Sequence, residues 1–134
     1  MSGIYVHIPF CKQKCTYCDF ASYPKEIGKA EAYFACLLKE ISSRAEELKS
    51  KTFNTIYIGG GTPSFVKPEF IAAVLNKVRA RFNIEKNAEI TIEMNPGTVD
   101  ERKIEIYKRA GVNRFSVGLQ SASDKRLLSL NRIH

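Results

Sequence analysis

Cys11, Cys15 and Cys18 crowd into one short stretch, HIPFCKQKCTYCDF, at the spacing Cys-x3-Cys-x2-Cys. Thiolates gathered this densely suit a soft metal centre, zinc or an iron–sulfur cluster, and such centres ordinarily take four protein ligands. The loop supplies three, so the fourth position has to be filled from elsewhere. Lys12 and Lys14 beside the thiols favour their ionised form. Phe10, Tyr17 and Phe20 can keep water away from what the thiols hold. Cys36, in AEAYFACLLKEI, falls at a helical position and reads as a buried thiol acting as a small hydrophobe.

Three other stretches carry chemistry: GGGTPS (59–64), EMNPGT (93–98) and GLQS (118–121). Consecutive glycines let backbone N–H and C=O groups approach a small polar ligand, Thr62 adds a hydroxyl, and Pro63 stiffens the exit. A phosphate-binding loop of the P-loop kind requires Lys-Ser/Thr after the glycines, and none follows. Glu93 can accept from an ammonium, and Gln120 can bond a hydroxyl or amide. Together they suit an amino-acid or nucleoside-like ligand held beside the metal.

The elements that must position these residues show in the periodicity. Residues 3–8, 54–59, 88–94 and 114–120 are short, β-branched or aromatic, and alternate with period two, so they predict four strands. Phe34, Leu37, Leu38, Ile41, Ala45 and Leu48 form one helical stripe; Ile71, Val74, Leu75, Val78 and Phe82 form a second. Thr98 and Glu101 have the spacing of a capping box for a third helix, and Gly111 stands where that helix stops. A fourth helix is expected from Ser123, with Leu127, Leu128 and Leu130, running to the chain end at His134. The order βαβαβαβ implies parallel strands joined by right-handed crossovers.

Each strand is apolar on one side only. Ile4, Val6 and Ile8 oppose Tyr5 and His7; Ile56 and Ile58 oppose Tyr57 and Gly59; Ile90, Ile92 and Met94 oppose Thr91 and Glu93; Phe115, Val117 and Leu119 oppose Ser116, Gly118 and Gln120. A parallel sheet covered by helices on both faces would be apolar throughout. The pattern therefore predicts an α/β fold with a curved, barrel-like sheet, helices outside and a polar inner face. A complete (β/α)8 barrel takes about 250 residues, so the 134 residues here form part of one, or leave an edge that something else covers. Ligands of parallel sheets bind at the carboxyl ends of the strands, where the cysteine loop and all three polar stretches converge.

One core, residues 1–134, is expected from length and a hydrophobic content of 44%. The formal charge of +7 permits anionic partners, but the Lys and Arg residues scatter over outer helix positions and read as a solvated surface. A strand beginning at Gly3 leaves no space for a signal segment, and no apolar run is long enough to span a membrane. The expectation is a cytoplasmic protein, where clustered cysteines serve as metal ligands rather than disulfides.

The spacing of Cys11, Cys15 and Cys18 resembles the signature of the radical S-adenosylmethionine (SAM) superfamily. That resemblance implies a 4Fe-4S cluster held by the three cysteines, its open fourth iron chelated by the amino and carboxylate groups of SAM, which the reduced cluster cleaves to a 5′-deoxyadenosyl radical. The stretches YVHIPFCKQKCTYCDF, GGGTPS, EMNPGT, GVNRFSVGLQS and NRIH are similar to the oxygen-independent coproporphyrinogen III oxidase family, including its haem-chaperone branch. This likeness covers nearly the whole chain and implies the N-terminal part of a partial (β/α)6 TIM-like barrel. By it Tyr5 lies near the cluster-bound methionine, Tyr17 packs near the adenine, Gly60, Gly61 and Thr62 meet the amino group, and Glu93, Gln120 and Arg132 take the remaining SAM contacts.

The oxidase branch typically carries another cysteine two residues past the third ligand, where this sequence has Phe20. Arg132-Ile133-His134 also looks like the chaperone branch. The resemblance thus implies haem transfer to an accepting protein, an electron-donor protein, and haem or porphyrin as ligand, with oxidative decarboxylation of coproporphyrinogen III as the alternative. A zinc reading would add His7 to the three cysteines, in a basic nucleic-acid-binding module, but it explains neither GGGTP nor the inward Glu93 and Gln120. No nucleic-acid partner is expected.

Overall fold

A computed structural model of the chain describes residues 2–132. Its strands follow the β-branched alternations: β1 (Gly3–Ile8), then β2 (Phe10–Cys11) and β3 (Tyr23–Pro24) around the cysteine loop, β4 (Thr52–Gly60), β5 (Asn83–Met94) and β6 (Arg114–Val117). The helices are α1 (Ala30–Glu47), α2 (Pro68–Arg81), α3 (Glu101–Arg109) and α4 (Asp124–Ser129). β1, β4, β5 and β6 form one sheet in that order, every neighbouring pair parallel. Helices α1, α2 and α3 lie side by side along it.

The apolar strand face is the core. Val6, Ile8, Ile56, Ile58, Ile90 and Ile92 pack against Phe34 and Ile41 of α1, Ile71, Val74, Leu75 and Val78 of α2, and Tyr107 of α3. Full burial of one such aliphatic side chain stabilises the fold by about 1.5–3 kcal/mol, so this face fixes the strand register. The opposite face keeps Tyr5, His7, Tyr57, Glu93 and Ser116 off the core, Tyr5 being 55% exposed. Thr91 on that face is fully buried, donates its hydroxyl to Glu89 Oε1 (3.0 Å) and accepts from Arg114 Nη1 (3.2 Å). Among the described residues no helix is long and apolar enough to cross a membrane.

Several local expectations need correction. Cys36 is exposed, because the buried stripe of α1 runs through Ala30, Phe34, Ile41 and Ala45, and a residue two positions past Phe34 turns to the opposite side. The cap of α3 is Asp100, whose carboxylate accepts from Lys103 N (2.7 Å); Thr98 lies two residues too early and donates instead to Asn95 O (2.7 Å). β6 ends at Val117 rather than residue 120, and Gln120 takes a left-handed φ of 60°. Val117 and Leu119, expected to be covered with Phe115, are 55% and 53% exposed because among the described residues no strand pairs beyond β6. β4 and β5 extend further back than their alternation suggests, through a bulge between Phe53 and Thr55.

Both α3 and α4 stop on a left-handed residue. After α3 it is Gly111 (φ 91°), with Gly111 N bonding Lys108 O and Val112 N bonding Tyr107 O. After α4 it is Asn131 (φ 57°), with Asn131 N on Leu128 O and Arg132 N on Leu127 O. This pairing is a Schellman motif, and it ends α4 at Ser129 instead of letting it run to the last residue. The expectations for Ile133 and His134 lie outside the described residues.

Candidate functional site

The cysteine loop is tied down at three places. At its base β2 and β3 pair Phe10 with Tyr23 and Cys11 with Pro24, and Tyr23 N donates to Pro9 O (2.8 Å). Beside that, His7 Nε2 lies 2.7 Å from Ala21 O. A carbonyl only accepts, so Nε2 carries the proton and Nδ1 accepts from the Tyr5 hydroxyl at 3.0 Å. The third tie comes from the far end of the chain: Leu130 O accepts from Thr16 N (3.3 Å), and Asn131 Nδ2 donates to Lys14 O (2.8 Å). Gln13 Nε2 donates to both the backbone and the side-chain oxygen of Asn131.

Held in this way, Cys11, Cys15 and Cys18 line one cavity of about 280 Å³. All are free thiols, with Cys11 buried and the other two partly exposed. Cys11 Sγ lies 3.6 Å from Thr62 Oγ1, and Cys15 Sγ lies 3.5 Å from Arg132 Nη1. The approach of the glycine turn explains its composition. A Cβ on Gly61 would fall 2.7 Å from Phe10 O and 2.8 Å from Cys11 Sγ, and Gly60 has a φ of 116°.

Of the residues singled out in the sequence, Tyr17, Gly60, Gly61, Thr62, Glu93, Gln120 and Arg132 line the same cavity as the cysteines. Tyr5 does not; it stacks on Tyr57 with ring centroids 6.2 Å apart and reaches the loop only through His7. Glu93 is gripped at both oxygens, by the Tyr57 hydroxyl on Oε1 (2.6 Å) and by Gly60 N on Oε2 (3.3 Å). That hydrogen bond, with burial and the charge of Glu93, raises the Tyr57 pKa. Burial raises the Tyr5 pKa, with Glu93 adding to it. Burial likewise raises that of Tyr17, helped by the neighbouring Cys15.

Asn95, Gln13, Asn131 and Ser22 were missed as site residues. Asn95 joins the strand ends: Nδ2 donates to Thr62 Oγ1 (3.1 Å), and Oδ1 accepts from Arg132 Nη2 (2.8 Å), which also donates to Gly118 O. Its place in EMNPGT was the signal available. The other three make or await contacts that no local spacing encodes.

A zinc site completed by His7 is not formed, since both ring nitrogens are engaged by protein groups. Among the described residues no group of three or more His, Cys, Asp or Glu side chains has the geometry to hold a single metal ion. A cluster held by the three thiols fits better. They share a cavity with polar groups in waiting: Arg132 Nε and Ser22 Oγ are buried without a partner, and both residues line the space.

The sequence matches the radical SAM superfamily over residues 5–134, and the chain belongs to that superfamily, whose members bind a 4Fe-4S cluster and SAM. Among its relatives, the heme chaperone HemW of Escherichia coli (strain K12) is 44% identical over 133 residues, covering 98% of this chain and 35% of that protein. HemW of Mycobacterium tuberculosis (strain H37Rv) is 36% identical over 135 residues, 98% of this chain and 35% of that one. Radical S-adenosyl methionine domain-containing protein 1, mitochondrial, of Danio rerio is 36% identical over 133 residues, 99% of this chain and 30% of that one. In structure the chain superposes on E. coli coproporphyrinogen III oxidase (HemN), a radical SAM enzyme, with a TM-score of 0.91 and 29% identity, covering 98% of this chain and 31% of that one. The sheet is thus part of a radical SAM TIM-like barrel. The chain spans about a third of the length of the curated relatives it matches.

Proposed function

We propose that residues 1–134 are the cluster- and SAM-binding core of a cytoplasmic haem-chaperone-type protein that passes haem to an accepting protein and takes electrons from a donor protein. The observation that carries this reading is Phe20, which lines the cavity and is 62% exposed at the position where the oxidase branch carries a cysteine. Similarity to the heme chaperone of E. coli supports it.

In this reading Cys11, Cys15 and Cys18 hold the 4Fe-4S cluster, and Arg132, within 3.5 Å of Cys15 Sγ, balances thiolate charge. The bound and reduced cluster supplies the electron that splits the sulfonium of SAM. Glu93, held by Tyr57 and Gly60, presents acceptor oxygens to the ammonium of SAM, while the backbone of Gly60 and Gly61 and the Thr62 hydroxyl line the same wall. Gln120 and the unpartnered Arg132 Nε offer donors to its carboxylate and ribose. Tyr17 gives the adenine an apolar face to pack on. Tyr5 acts through His7, fixing where the loop returns to the sheet.

The fold match to coproporphyrinogen III oxidase favours a second reading, oxidative decarboxylation of a propionate-bearing porphyrinogen. An anaerobic assay of the intact protein with SAM, a reductant and coproporphyrinogen III, read by porphyrin chromatography beside a haem-binding titration, separates the two. Haem binding with unchanged coproporphyrinogen is the expected outcome. Catalytic formation of protoporphyrinogen would replace the chaperone reading with the second.

A further inference from the structure

We propose that the Ser22 hydroxyl is a hydrogen-bond donor to a sulfur of the cluster and raises the cluster's reduction potential, an inference that rests on the three cysteines being cluster ligands. Ser22 is 6% exposed, lines the cavity that the three thiols share, and has an Oγ with no partner. A desolvated hydroxyl left unbonded is costly, so its retention needs a partner that enters the cavity.

Its place is fixed from both sides. Ala21 O is bonded by His7 Nε2, and Tyr23 N by Pro9 O, so the backbone on either flank of Ser22 is pinned to β1 and its extension. The parallel β2–β3 register sets Tyr23 opposite Phe10 and Pro24 opposite Cys11, so Ser22 falls level with Pro9 where the loop returns to the sheet, and it lines the cavity together with Cys11, Cys15 and Cys18. The groups suited to an organic ligand, Glu93 and Gln120, come from the strand ends instead. Cluster sulfurs accept hydrogen bonds, and such bonds are among the determinants of cluster potential. A donor pointing its proton at sulfur favours the state with the extra electron, so its loss makes reduction harder.

The test compares wild type with Ser22→Ala and Ser22→Thr in the intact protein, reconstituted anaerobically, with iron content measured and the potential read by resonance-monitored redox titration in the absence of SAM. The expected result is equal iron, a downward shift of midpoint potential in Ser22→Ala, and at least partial recovery in Ser22→Thr, which keeps the hydroxyl. Apo Ser22→Ala should melt no lower than apo wild type, because it removes a group that has no partner there. An unchanged potential on a fully loaded Ser22→Ala cluster overturns the proposal alone, as does a weakened SAM affinity with unchanged potential, which would assign the hydroxyl to SAM. A lower apo melting temperature overturns it in favour of a structural role. Wild-type protein that takes up no cluster removes the underlying cysteine assignment and the proposal with it.

Discussion

Arg132 touches Cys15 across 117 positions of sequence, while Cys36, much nearer in the chain, has no part in the site. The contrast gives a direct test of which thiols matter. In the intact protein, Cys15→Ala should lose nearly all bound iron and Cys36→Ala should lose none, measured after anaerobic reconstitution; equal loss from both would reverse the assignment. Glu93 gives a second. Its two oxygens are already oriented by Tyr57 and Gly60, and a hydrogen bond to a charged group is worth about 1.5–3 kcal/mol. Glu93→Ala should therefore weaken SAM binding by roughly ten- to a hundred-fold, read by calorimetry, and Tyr57→Phe by less. Residues of this kind were legible because each stands in a contiguous motif at a strand end. Gln13 and Asn131 were not, since an amide's role depends on which groups folding brings to it, and Asn95, although it stands in EMNPGT, finds its partners in Thr62 and Arg132 from distant stretches of the chain.

At the scale of elements, alternation and helical spacing revealed the four main strands and the helices because a buried face imposes its period on the sequence. The ends were harder to read. Asp100 and Thr98 are both capping types, and the start of α3 at Glu101 decides between them. The β2–β3 pair is too short to leave a pattern. The clasp of residues 130–132 on the cysteine loop predicts that Asn131→Gly, which tolerates the left-handed backbone but lacks the amide, should speed hydrogen exchange in residues 13–16 and leave α4 folded. Unchanged exchange there would show that the amide contributes nothing. Gly61→Ala should cost about 1–3 kcal/mol in a denaturant titration, because the new methyl meets the backbone oxygen of Phe10, which no side-chain rotation can move aside.

For the whole molecule, the one-sided polarity of the strands foretold a sheet that is part of a larger barrel. β6 is an edge with no strand on its outer side among the described residues, and Val117, Leu119 and Leu128 are 55%, 53% and 75% exposed. Surface ion pairs such as Arg102–Glu69, both partners exposed, add little to hold such a structure. Residues 1–134 expressed alone should self-associate in light scattering, through the open edge and these side chains; a cooperative, monomeric melt would contradict that. The central claim, a three-cysteine cluster whose remaining iron receives SAM, is tested most directly by electron paramagnetic resonance of the reduced, reconstituted intact protein with and without SAM. The account predicts a 4Fe-4S signal that changes on adding SAM, with the change diminished in Glu93→Ala; a spectrum indifferent to SAM would contradict it.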